Sequence, residues 1–445
     1  MRARVGGWAE LLEQAGSHAA ARRWDRRCAS YRQLVDAGEP VVDPRWLRLP
    51  AGSDYHPDRP CVWIRARRYR PDLPWNQHPA AWVVLEAAAT HGYDLTGPGG
   101  EAFPFEPLFQ PISNGDGAGY TRARALDHAL LELVQRDGNS AGYRAADRGI
   151  GVELDQVRHP GSRELLDRLD DAGIQLQVKL ADTNLGMTNL YVVGHERDPA
   201  AAPHPIVLTG CGEAAHPDRE AALHKALLEF CASRVRKLFT HGPLDLIRPV
   251  LPDGYLERFA QNPATVEESR RFDDVHRLAH LDAAQVMELI DPSVLHVDEQ
   301  VRFSELPSVE FGSMDQVEPR LAEVARRFTE EGLEIYWIDC GTGASDCHAV
   351  KAIVGPMEVE MMTCHHIGRR NLDRLRDRDR DRGRGWVGYG PPPTGAQRVQ
   401  LADGGGAWMD TAAVDRAVGP LYGLYREPEI HAVAIRDAAG EVAAV

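Results

Sequence analysis

Three stretches of this chain set a glutamate among apolar residues, with a polar residue four positions later: 9–14 (AELLEQ), 131–136 (LELVQR) and 228–234 (LEFCASR). Residues at i and i+4 share one face of a helix, so Glu132 lies beside both His128 and Arg136. One turn back stands Arg124, completing a polar stripe through a segment otherwise rich in Ala and Leu. A charge on a largely buried helix is costly unless it is paired or bound to a ligand. Glu10, Glu132 and Glu229 are therefore expected to converge on a metal–phosphate group. The plainer alternative is three solvated faces carrying i,i+4 pairs such as Lys225–Glu229 and Glu132–Arg136.

The elements that would position these groups can be read along the chain. Trp8, Leu11, Leu12 and Ala15 recur at helical spacing and predict a helix over 8–34. Pro and Gly punctuate residues 40–119, broken by a strand-like Val62-Trp63-Ile64. A glycine-rich turn at 113–119 (SNGDGAG) opens a helix over 121–137. Further helices are expected at 162–172, 217–238, 264–290 and 317–332, and strands near 175–179, 189–193, 206–209, 333–338 and 349–354. Helices and strands mix without regular βαβ spacing, which predicts an α+β fold: mixed or antiparallel sheets with packed helices, in one large unit. The Arg/Asp alternation at 369–384 reads as a solvated, mobile segment.

Bulk properties narrow the function classes. Of 445 residues, 43% are apolar and 26% charged, so the chain folds into a globular core. It carries 51 basic and 66 acidic residues, a formal charge of −15 without a long basic run. That argues against nucleic acid and for small-molecule or peptide partners. No apolar run reaches the ~18 residues of a membrane span, and the N-terminus shows no secretory signal. Seven cysteines without CxxC spacing predict reduced thiols in the cytoplasm, with Cys211 and Cys231 as buried thiols. Cys340, Cys347-His348 and Cys364-His365-His366 match no zinc spacing. A glycine cluster before a helix, as at 115–119, can cradle phosphate through its N–H groups, but it reads first as a plain turn.

In this order the segments resemble the YcaO family. An early helix with S-x-x-E-x-x-E-R corresponds to residues 7–14, and a turn S-N-G-x-A-x-G-N-T to 113–121. E-x-x-E-R-D corresponds to 132–137. A G-x-G segment with a helix like L-x-E-x-x-Q-S-R falls at 210–212 and 229–234, and a late strand into V-P-G-M-E at 350–358. The resemblance spans nearly the whole chain, and the order of five motifs is more specific than any one of them. It implies a YcaO-like domain over 1–368 without the usual N-terminal strand and lysine-bearing loop. Residues 369–445 would form a C-terminal extension on the same unit, without the proline-rich tail of azoline-forming relatives.

The resemblance also implies a reaction. A nucleophile adds to a peptide carbonyl, ATP phosphorylates the resulting oxygen, and phosphate leaves, giving azolines, thioamides or amidines in ribosomally made peptides. It places Glu10, Glu13 and Glu132 on the magnesium side and Arg136 on phosphate. Gly117, Tyr120, Arg124 and Gln135 stand in nucleotide-binding positions, and Glu229, Lys351 and Arg370 at the rim. No catalytic residue is singled out. The implied partners are a precursor peptide, a leader-binding or second YcaO-type protein, and a second copy of the chain.

The departures gather at the nucleotide. Gly117, Tyr120 and Arg124 replace a small residue, Asn and Glu of the family pattern, Gln135 replaces a second Glu, and Ala232 replaces Gln. Gly355-Pro356 reverses the order of the late turn. Arg for Glu changes local charge by two units, which near a divalent cation costs several kcal/mol even at an effective dielectric of ~20. An arginine can also clamp phosphate bidentately in place of a metal. The expectation divides between an enzyme with an altered ATP site and a non-catalytic scaffold that holds a peptide or an active relative.

Overall fold

In the computed structural model the described residues are 2–47, 49–96, 105–140, 147–261, 272–311, 316–341, 347–358, 365–382, 385–424, 431 and 433–435. They form two compact units. The first comprises 1–141, 184–186 and 309–414, the second 142–183, 187–308 and 415–445.

The first unit is built on a six-stranded antiparallel sheet. Its path runs Arg27–Ser30, Pro60–Arg68, Ile335–Asp339, His348–Val354, Asp116–Gly119, with Ala80–Val84 pairing beside Pro60–Arg68. Val62, Trp63 and Ile64 lie in its interior; Trp63 is fully buried and its indole N–H donates to Ala29 O at 2.9 Å. The N-terminal helix (Arg2–Ala21) and a central helix (Arg122–Ser140) pack on the strand Asp116–Gly119. Backbone meets backbone there: a Cβ on Gly117 would stand 2.3 Å from Ala125 O and 2.9 Å from Ala129 N. A three-stranded antiparallel sheet, ordered Val387–Tyr389, Gly406–Met409, Gln397–Gln400, completes this unit.

The second unit holds a five-stranded sheet ordered Thr209–His216, Thr188–Glu196, Ile174–Asp182, Ile150–Glu153, Glu299–Arg302. Only the last pair is parallel. A long helix (Arg219–His241) covers Thr209–His216, and a Cβ on Gly212 would come 2.0 Å from Ala226 O. The α+β character with mixed and antiparallel sheets thus follows the expectation.

Local corrections have local causes. The first helix ends at Ala21, because Arg27–Ser30 leaves it to pair with residues 60–63. Half of the expected turn at 113–119 is a strand, since Asp116–Gly119 pairs with 348–351. The strand expected at 206–209 starts only at Thr209, after a proline-initiated turn over Pro205–Val207. The Arg/Asp run is a helix (Arg369–Arg382), drawn in by the buried Asp137, which accepts from Arg370 and Arg374 at 3.0 Å each. Within 264–290, the described part is two helices, Phe272–Ala279 and Ala283–Ile290; residues 264–271 lie outside the described residues. Among the described residues no helix is long and apolar enough to cross a membrane.

A helix at Val317–Glu330 is clamped to the central helix by Arg320 and Asp127, both almost fully buried, with Nη2 2.6 Å and Nε 3.0 Å from Asp127 Oδ2. Removing one partner of such a pair strands the other charge. Asp127→Ala is expected to cost about 3–5 kcal/mol, read as a lower urea midpoint. Replacing both, as Asp127→Leu with Arg320→Met, should recover most of the loss. Equal midpoints for Asp127→Ala and the unsubstituted protein would refute the clamp.

Candidate functional site

The site is assembled within the first unit, around the glycine strand. Glu13 projects from the N-terminal helix and accepts a hydrogen bond from the N–H of Ala118. Glu132, on the central helix, accepts from Gly115 N at 3.0 Å, and its other oxygen lies 3.7 Å from Arg136. His128 Nε2 stands 3.9 Å from Glu13. The stripe read from the sequence thus exists and faces the first helix: His128 reaches Glu13 while Glu132 holds the start of the strand.

Carboxylates crowd this place. Glu13 is pushed up to about 8, first by burial and then by the charges of Glu132, Asp116 and Glu10. Asp116 is buried and pushed up to about 6, again mainly by burial. Thr90 Oγ1 at 2.9 Å and Lys351 Nζ at 3.4 Å act against that shift. Lys351 is not on a rim: it is buried on the neighbouring strand in register with Asp116 and donates to Ile112 O at 2.7 Å. Sequence reasoning passed over Asp116 because it occupies a variable position of the glycine motif. Its in-register lysine is visible only once the strands pair.

The other expected positions divide. Tyr120 is 73% exposed and Arg124 is exposed, so both are presented. Gly117 is packed under the central helix and Gln135 is buried at 3% exposure, so neither faces solvent. Glu10 is exposed on the first helix. Glu229 belongs to the second unit, half-exposed and 3.6 Å from Lys225, as the plainer reading had it. Cys211 and Cys231 are half-buried instead of buried, and Cys364 lies outside the described residues. Three N–H groups of the turn are engaged within the protein: Gly115 N–H by Glu132, Asp116 N–H by Ser113 O, and Ala118 N–H by Glu13.

A second polar network caps the end of the central helix. Asp137 accepts from Arg370, Arg374 and the N–H of Glu358 (2.8 Å), and Asn371 Nδ2 donates to Ser140 Oγ at 2.8 Å. The Glu358 carboxylate accepts from Gly368 N at 2.8 Å and Asn371 N at 3.2 Å, and burial pushes it up to about 7. Arg370, expected at a rim, thus serves as an anchor for this helix end.

Among the described residues no group of three His, Cys, Asp or Glu side chains is set to hold a metal ion. Magnesium does not ask for one, since it is commonly bound by one or two carboxylates, with water and phosphate completing its shell. Glu13 and Glu132 meet that requirement with hard oxygen donors. A cation beside them would also offset the carboxylate repulsion that adds to burial in raising Glu13, so the donor set fits.

Comparison with known proteins identifies the family and the fold. The family model described as YcaO cyclodehydratase, ATP- and Mg2+-binding, matches residues 1–358. An uncharacterized protein of Methanothermobacter thermautotrophicus is 29% identical over 206 residues, 45% of this chain and 47% of that protein. Among solved structures, the heterocyclase TruD aligns with 80% of this chain and 46% of its own (TM-score 0.53, 16% identity). A heterocyclase in complex with substrate and cofactor aligns over 75% and 40% respectively (TM-score 0.50, 17% identity). The chain spans less than half the length of each of these proteins, and the structural likenesses establish the fold.

Because Glu13 is raised in the folded protein above its ordinary 4.5, the folded state holds a proton that the unfolded chain releases between about pH 4.5 and 8. Stability from this group therefore falls as pH rises through that window. In chelator, Glu13→Gln should melt several degrees above the unsubstituted protein at pH 8.5, and the gap should close toward pH 5. Parallel melting-versus-pH curves would contradict the crowding.

Proposed function

This chain belongs to the YcaO family, and from that premise we propose that it activates backbone amides of a ribosomally made peptide with ATP and magnesium, giving a thioamide, amidine or azoline. The observation that carries the reading is the crowding of Glu13, Glu132 and Asp116 in one neighbourhood, where burial first and the neighbouring carboxylates second raise Glu13. When bound, ATP with magnesium supplies a phosphoryl group that turns the amide oxygen into a leaving group.

The chain's own residues have distinct tasks in this proposal. Glu13 and Glu132 hold the cation from opposite helices, with Glu10 at the outer edge. Arg136 is held near Glu132 and neutralises phosphate oxygens from that side. Arg124, exposed at the start of the central helix, presents a planar guanidinium to a phosphate or to the peptide. It stands where a second acidic ligand would be, so the site is expected to take one magnesium ion instead of two.

A second reading, a non-catalytic scaffold that holds a peptide or an active relative, draws support from specific observations. Gln135 is buried, and three N–H donors of the glycine segment are already engaged within the protein.

Calorimetric titration of ATP separates the two readings. The enzyme reading expects magnesium-dependent binding, and peptide-dependent phosphate release that Glu132→Gln lowers by about 100-fold or more, of the order that loss of one electrostatic contact can bring. No heat with or without magnesium, together with a stable complex with an active YcaO protein, would leave the scaffold.

A further inference from the structure

The late motif, with its reversed Gly355-Pro356 order, borders a cavity of about 190 Å³ in the first unit, bounded by Trp46, Gly355, Pro356, Ile367, Leu401 and Ala402. It adjoins Glu358 and Arg370, members of the network that caps the central helix. The reversal matters sterically. A Cβ at position 355 would come 3.1 Å from Trp46 Cβ and 3.4 Å from Trp46 O. Glycine there lets Trp46 sit against the turn, where a proline ring would press on it.

Trp46 forms one wall and is 49% exposed, a large apolar ring beside an opening. It rides on a short turn (Pro44–Trp46) whose cap is Asp43: the carboxylate accepts from Arg45 N at 2.9 Å and from the Arg45 guanidinium at 2.5 Å. Ile367 and Leu401 are 2% and 5% exposed, giving a fixed apolar floor.

The charged groups at this cavity are engaged. Arg45 is held by Asp43, Arg369 by Asp403, Arg370 by Asp137, and Glu358 by two backbone N–H groups. An ionised guest would have to break one of these pairs to gain a partner, whereas an uncharged guest disturbs none and covers Trp46. The volume suits one side chain: an apolar cavity of about 150 Å³ accommodates benzene.

We propose that this cavity is a side-chain subsite that takes one uncharged aromatic or branched aliphatic residue of the peptide, stacked on Trp46. The assignment rests on the reading of the chain as a peptide-binding YcaO protein and deepens it by naming a class of residue. The subsite selects a residue of the peptide by its side chain, and the charged rim turns away acidic and basic residues.

The test uses ligand-observed saturation-transfer NMR on the full chain with N-acetyl-phenylalanine amide, N-acetyl-leucine amide, N-acetyl-aspartate amide and N-acetyl-lysine amide. The first two should bind with millimolar Kd and the last two at least tenfold more weakly. Ala402→Phe, which fills the cavity, should abolish the signal. Trp46→Ala, which trims an exposed ring and leaves the melting temperature nearly unchanged, should weaken binding about tenfold. Equal binding of all four amides, no binding of any, or binding that survives Trp46→Ala would overturn the subsite. The probes need no ATP, so this failure is distinct from failure of the enzyme reading. Amide binding lost while ATP binding persists removes only the subsite. Amide binding kept without ATP binding supports the subsite and transfers it to the scaffold reading.

Discussion

Backbone packed directly on backbone is the constraint from which the site follows. With no Cβ at Gly117, the central helix settles onto the strand Asp116–Gly119 as closely as main-chain atoms permit. That approach brings Glu132 to the N–H of Gly115 and sets the glutamate on the face turned to the first helix. A single methyl at this position would push the helix outward and dissolve the meeting of Glu13, Glu132 and Asp116. The second unit uses the same device at Gly212 under the helix Arg219–His241, but there Glu229 turns to Lys225 and a half-exposed surface.

Once the helix is seated, its charges are dealt with in two ways. Where the helix is buried, each carboxylate has an arginine: Asp127 with Arg320, and Asp137 with Arg370 and Arg374. These partners come from distant parts of the chain and tie two further helices to the central one. Where the helix faces the N-terminal helix, carboxylates instead outnumber nearby cations, and Glu13 keeps its proton to about pH 8. Compensation along most of the helix and its shortage at one place set the two stretches apart electrostatically.

Arg124 and Gln135 show how far the local pattern can be trusted. Both replace glutamates of the family pattern, yet one is exposed and the other buried. The substitution of charge at 124 therefore changes what the surface presents, whereas the loss of charge at 135 suits the interior that receives it. An ionised glutamate at 135 would need a partner in the core.

The motif order, the α+β class and the polar stripe Arg124–His128–Glu132–Arg136 were legible from the chain alone, because helical periodicity and glycine spacing are local properties. So were the pairs Glu132–Arg136 and Lys225–Glu229, which need only one helix. Tertiary structure alone decided that Lys351 lies buried against Asp116, that Arg370 anchors a helix end, and that a cavity opens beside Trp46. Each of these depends on strand register or on contacts between residues more than two hundred positions apart. Spacing along a sequence carries no information about such meetings, because burial and pairing arise only when separate segments exclude water together.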